Sequence, residues 1–299
     1  MKQKLIALLL TMVMAVTLLA GCGSSNSQEE TTKAGEEAAE AAAEGEQFDE
    51  TEVNLFIAAS LEDAFKEIIP LYNETQPNVK ITYNADSSGT LLTQIQNGFE
   101  CDIFFSADTK QMNTLEEEGR VKDGQRKDLL ENEIVVIAGK DNGTEVTGLS
   151  DLNKAKSIAL ADGSVPVGKY TRQALVNAGI IEAPEDGDLS KITTQDIMDT
   201  LGTEISECAN VSKVKEAVKE GSCEVGTVYY TDAYSVIDDV DVLEHVSKDL
   251  TGEIIYPVGM ITNDEADELQ GAAALDFYNF IQSEEALAVF EKYLYKVCE

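Results

Sequence analysis

The residues of this chain best placed to do chemistry are hydroxyls sitting where apolar runs turn into helices. Val53-Asn54-Leu55-Phe56-Ile57-Ala58-Ala59 ends at Ser60, after which Leu61, Ala64, Phe65, Ile68 and Tyr72 recur at the spacing of one helix face. Ser60 falls at the N-cap position, with Asp63 three residues on as a weaker stand-in for the usual Glu or Gln. Ser87 and Ser88 occupy a second junction, between alternating Val79, Ile81 and Tyr83 and helix-spaced Leu91, Leu92 and Ile95. Asp162 to Gly168 and Ala209-Asn210-Val211 are two more. A strand that feeds a helix through such a turn leaves backbone N–H groups unpaired and a hydroxyl aimed at one spot. Such a spot suits an anion. Taken singly, each serine reads equally well as a plain helix cap.

Other chemistries are short of parts. The single histidine, His245, removes a Ser-His-Asp triad and a His-based metal site, and reads instead as a surface or packed strand residue. Cys101, Cys208, Cys223 and Cys298 show no CxxC spacing. Four such cysteines allow three pairings, for example Cys208 with Cys223 and Cys101 with Cys298, or four free thiols. The 56 carboxylates contain no spacing that singles out an acid–base pair. An extracytoplasmic enzyme is thus left without its machinery, and no cofactor is expected. A formal charge of -34 argues against nucleic acid and against docking on an anionic membrane by charge. An anion would approach against that average field, so it must be held by local, directed hydrogen bonds.

The elements that position these turns alternate. Strands are expected at 53–58, 79–83, 101–106, 133–138, 157–161, 224–230, 241–246 and 254–262, the last interrupted by Pro257. Helices follow most of them, the first ending or kinking near Ile69 at Pro70. Residues 182–207 are acidic and weakly patterned, an inserted loop with a short helix near 195–201. The last forty residues are helical, with Ser283 as a cap. This is an α/β protein with mostly parallel sheets, whose ligand belongs at the carboxyl ends of the strands, where the hydroxyl-rich turns fall.

The N-terminus is an address. Lys2 and Lys4 precede an apolar segment from Leu5 to Ala20 that ends in Leu19-Ala20-Gly21-Cys22, resembling a bacterial lipobox. Cleavage after residue 21 and lipidation of Cys22 are expected, which anchors the protein outside the cytoplasm on the cell membrane. Residues 22–50 form an acidic tether with no apolar face to bury.

Five stretches in order carry a resemblance: Ala58-Ala59-Ser60-Leu61, Ser87 to Leu91, Cys101 to Asp108, Val165 to Gly168, and Gly226 to Ala233. From residue 51 to the C-terminus the chain resembles the molybdate-binding proteins of ABC transporters. The resemblance implies a two-lobed type II periplasmic-binding-protein fold with a two-segment hinge. Lobe 1 would comprise 51–130 and 254–299, and lobe 2 residues 131–253, with the C-terminal helices packing on lobe 1. It implies an oxyanion held by the hydroxyls of Ser60, Ser88 and Tyr229 and the amides of Val167 and Val211, with Ser87 and Tyr230 as register alternatives. Val167 departs from the smaller residue usual there, and the long 182–207 stretch makes the Val211 alignment the loosest. Molybdate or tungstate would be the metal-containing ligand, an ABC permease the partner, and a monomer the expected state.

That donor set is chemically coherent. A fully deprotonated tetrahedral oxyanion offers only acceptors, whereas phosphate near neutral pH keeps a proton that needs one. A missing partner in such a site costs roughly 1–3 kcal/mol. Sulfate makes the same demands with shorter bonds, so only cavity size rejects it. Neutral donors avoid the desolvation of a buried counter-charge. A binder of sulfate or of a small organic anion is the nearest alternative, and a buried Arg in the site would favour it. A sensory subunit for a partner receptor would keep the same fold and ligand.

Overall fold

The computed structural model describes residues 47–298. The signal segment, Cys22 and the tether up to residue 46 lie outside the described residues. The alternation of strands and helices produces two β-sheets. The six-stranded sheet has the order β11-β4-β10-β3-β1-β2. Its strands are β1 (Thr51–Ala58), β2 (Val79–Asp86), β3 (Ile103–Phe105), β4 (Val121–Asn132), β10 (Ile254–Ile261) and β11 (Lys296–Val297). The five-stranded sheet, order β7-β6-β8-β5-β9, is built from β5 (Ile134–Gly139), β6 (Ser157–Ala161), β7 (Glu204–Cys208), β8 (Val225–Tyr229) and β9 (Val240–His245).

Both sheets are mixed, where mostly parallel ones were expected. β1 pairs parallel with β2 and β3, and β6 pairs parallel with β7 and β8. β10 and β5 run antiparallel to their neighbours. The reason is topological. The chain leaves the first sheet between Asn132 and Ile134 and returns between Thr251 and Ile254, so β5 and β10 enter their sheets from the crossing side.

Helices cover the sheets as the periodicity predicts: α1 (Glu62–Asn73), α2 (Ser88–Gln96) and α3 (Thr109–Glu117), then α4 (Pro166–Asn177), α5 (Thr194–Leu201), α6 (Val211–Lys219), α7 (Tyr230–Tyr234) and α8 (Lys248–Thr251). The last two, α9 (Glu268–Ile281) and α10 (Glu284–Lys292), return to the first sheet. There Phe65 meets Phe277 and Phe290 edge-on, with ring centroids 6.5 and 5.8 Å apart. Ser283 caps α10 through Ala286 N–H, as expected.

Two local expectations are corrected. α1 runs through Pro70 to Asn73, because Pro70 lies on the solvent face, where water can take the hydrogen bond the ring removes. Ser60 is no N-cap: it sits in a single 3₁₀ turn, Ala59–Leu61, ahead of α1, and no side chain caps either segment. The four cysteines of the described residues are free, with Cys101 and Cys223 buried.

Candidate functional site

The turns at the ends of β1, β2, β6 and β8 converge on one small, narrow space. A space this tight excludes a peptide or a sugar. Ser60 and Ser88 line it from the first sheet, and Val167, Val211 and Tyr229 from the second. The fold therefore brings together all five residues implied by the resemblance. Ser87 lines the space too, but its Oγ accepts from Thr90 N–H as the cap of α2. Tyr230 points elsewhere, against the His245 ring.

Each donor is presented by its element. Ser88 opens α2 and is 1% exposed. Its Oγ accepts from Ala107 N–H at 2.9 Å, which leaves its own proton to give. Val167 is the second residue of α4, whose N-terminus carries a proline and no side-chain cap, so its first-turn amides have no acceptor within the helix. Gly168 follows by necessity, since a Cβ there would lie 2.1 Å from the Asp162 carbonyl oxygen. Val211 is the first residue of α6, and the Asn210 cap engages only Lys213 N–H.

Tyr229 ends β8 almost fully buried, and its hydroxyl has no hydrogen-bond partner. Burial pushes its pKa well above the ordinary phenol value, with Tyr170, Asp108 and Asp232 adding to it and the neighbouring Tyr256 hydroxyl acting the other way, so the group stays protonated. A buried, unpaired hydroxyl costs about 1–3 kcal/mol. On a residue that lines the space, such a group is kept for something else.

Several participants were not legible in the motifs. Asp86, at the rim, accepts through Oδ1 from Ser87 N–H at 2.7 Å and from Asn210 Nδ2 at 3.1 Å, across the two sheets. Lys169 donates to the buried Asp108 and Lys215 to Asp63, again from the second half to the first. Where the two halves face each other, a Cβ on Gly89 would come within 3.2 Å of the Ser164 carbonyl.

A buried arginine also exists, but behind the site. Arg172 is 0% exposed and donates to the carbonyls of Ala161, Gly168 and Ile192 and to Thr194 Oγ1. Burial lowers its pKa, while Asp162 and Glu207 act in the other direction. With its fork spent on these acceptors, it buttresses the turn that carries Val167 and does not line the cavity.

A family model described as a bacterial extracellular solute-binding protein matches residues 53–296. A Bacillus subtilis protein provisionally named an ABC transporter substrate-binding lipoprotein is 30% identical over 280 residues, covering 93% of each chain. The molybdate-binding protein ModA of Escherichia coli is 27% identical over 255 residues, covering 82% of this chain and 89% of its own. Among solved structures, the substrate-binding domain of a provisionally assigned molybdenum ABC transporter from Clostridium difficile superposes with a TM-score of 0.59 at 33% identity, covering 83% of this chain and 99% of its own. A sulfate-binding protein of Mycobacterium tuberculosis shares the fold at 17% identity, with a TM-score of 0.65 over 83% of this chain and 88% of its own.

Proposed function

The chain belongs to the bacterial extracellular solute-binding proteins, which are not enzymes, and from that premise we propose that it captures molybdate or tungstate between its two halves and delivers it to an ABC permease. The observation that carries the reading is the orphaned, buried hydroxyl of Tyr229, a residue that lines the same space as Ser60, Ser88, Val167 and Val211. A tetrahedral anion with four acceptor oxygens satisfies such a group, whereas a cation finds almost only donors. The names of the similar proteins support the same ligand class. The shared fold of a sulfate binder leaves the choice among proton-free oxyanions to cavity size.

In this reading residues 51–130 and 254–299 form one lobe and 131–253 the other, and the lobes close about the two crossings. Lys169–Asp108, Lys215–Asp63 and Asn210–Asp86 then hold the closed form together. A lipid on Cys22 and the acidic tether would leash a monomer to the outer face of the cell membrane.

Calorimetric titration of the full chain with molybdate, tungstate, sulfate and phosphate tests the ligand. Tight binding of the first two and far weaker binding of the last two is expected. Silence with all four would sink the oxyanion site.

A further inference from the structure

Behind Ser60 runs a line of buried hydrogen bonds. It begins at Asn132, the last residue of β4. Asn132 Oδ1 accepts from Glu133 N–H at 2.9 Å, which fixes the amide orientation and turns its donor-only Nδ2 the other way. The two Nδ2 protons go to Thr231 Oγ1 at 2.9 Å and to Tyr256 Oη at 3.1 Å. Tyr256 Oη lies 3.0 Å from Ser60 Oγ, where either hydroxyl can donate. An Oη that already accepts from Asn132 favours giving its own proton to Ser60. Ser60 Oγ then accepts from Tyr256, and its remaining proton is free for the cavity. Ser60, Asn132, Thr231 and Tyr256 are all buried, so no water competes for these positions.

We propose that Asn132 and Tyr256 are specificity-determining residues: by locking Ser60 as a hydrogen-bond donor, they make the site accept oxyanions that carry no proton and refuse phosphate, which carries one. The inference rests on the oxyanion reading above and deepens it. A free serine hydroxyl would rotate and offer a lone pair to the phosphate proton. Here turning Ser60 would cost the Tyr256 proton its acceptor on Ser60 in a buried place. The line of donors also polarises each member toward the anion. Ser88 is locked in the same sense by Ala107 N–H. Asp86, the one carboxylate among the lining residues, spends its Oδ1 on Ser87 N–H and Asn210 Nδ2.

The test reverses the line. Asn132→Asp puts an acceptor where Nδ2 was, so Tyr256 turns its proton to the carboxylate, Ser60 donates to Tyr256, and Ser60 lone pairs face the cavity. Tyr256→Phe keeps the ring against Tyr229 and Tyr295, both with centroids 5.5 Å away, but frees the Ser60 hydroxyl to turn either way. The readout is the ratio of molybdate to phosphate association constants. It is measured by calorimetry on the full chain at mildly alkaline pH, where phosphate keeps one proton. Asn132→Asp should lower that ratio by roughly 10- to 100-fold, and Tyr256→Phe by less. Sulfate, which carries no proton, should weaken along with molybdate. A merely structural role would weaken all three anions together and leave the ratio unchanged, and that result in both variants overturns the proposal. If Asn132→Asp does not fold, the Tyr256→Phe ratio decides alone. A wild-type chain that binds none of the three anions would overturn the oxyanion reading, and this inference with it.

Discussion

At the scale of single residues, two hydroxyls that look alike in the sequence have opposite roles in stability. Tyr229 Oη has no partner in the folded protein, so Tyr229→Phe removes no internal hydrogen bond. Without ligand the variant should be as stable as wild type or up to about 1–3 kcal/mol more stable, while molybdate affinity falls roughly 10- to 100-fold. Ser88→Ala strips Ala107 N–H of its acceptor in a buried place. It should cost about 1–3 kcal/mol of folding free energy as well as affinity. Paired calorimetry and thermal denaturation separate the two: a Tyr229→Phe variant that melts much lower would mean its hydroxyl is structural. The strand–serine–helix pattern showed where these hydroxyls lie. It could not show which proton points where, because that depends on Ala107, Asn132 and Tyr256, 19, 72 and 196 residues away from the serines they orient.

At the scale of elements, legibility followed burial. Strands with continuous apolar cores, such as Ile134–Gly139 and Val225–Tyr229, stood out. The stretches that escaped notice were β4 and β7. β4 carries Lys122, Asp123, Gln125, Arg126, Lys127 and Asp128 along an edge that only two-residue β11 covers, so its charges face water and blur the alternation. β7, Glu204–Cys208, is an edge strand with a single buried residue, Ile205. The 182–207 stretch therefore read as a loop with one short helix; α5 matches that helix, and β7 is the strand that went unseen. Arg172 ties this segment to the anion turn by donating at once to Ile192 O, Thr194 Oγ1, Ala161 O and Gly168 O. Lysine has the charge but not the fork. Arg172→Lys should thus cost roughly 2–4 kcal/mol through the carbonyls it leaves unpaired. Hydrogen exchange should accelerate both at residues 189–201 and at the start of α4. Acceleration confined to one of the two would show that they are not coupled.

At the scale of the whole molecule, charge and recognition are separate. The proposed site uses neutral donors, while the chain carries a net -34. The field a dianion meets on approach is repulsive, and salt screens it over a Debye length of roughly 10 Å at 0.1 M. Raising ionic strength should therefore speed molybdate association and leave dissociation nearly unchanged, the reverse of the usual steering of an anion to a basic cleft. Stopped-flow kinetics across a salt series would show this, and a rate that falls with salt would mean the mouth is locally positive despite the total.

The donors are unevenly shared: Ser60 and Ser88 belong to the first sheet's turns, Val167, Val211 and Tyr229 to the second's. Both oriented serines, with Ala107 and Tyr256 behind them, belong to the first half, and Asn132 sits at the crossing into the second. A visitor to the open molecule would thus be asked first whether it carries a proton, and only afterwards, as the valine amides and the tyrosine close over it, whether it is the right size. The interview runs in two rounds. A wrong candidate is dismissed in the cheaper first round, before the larger motion is committed.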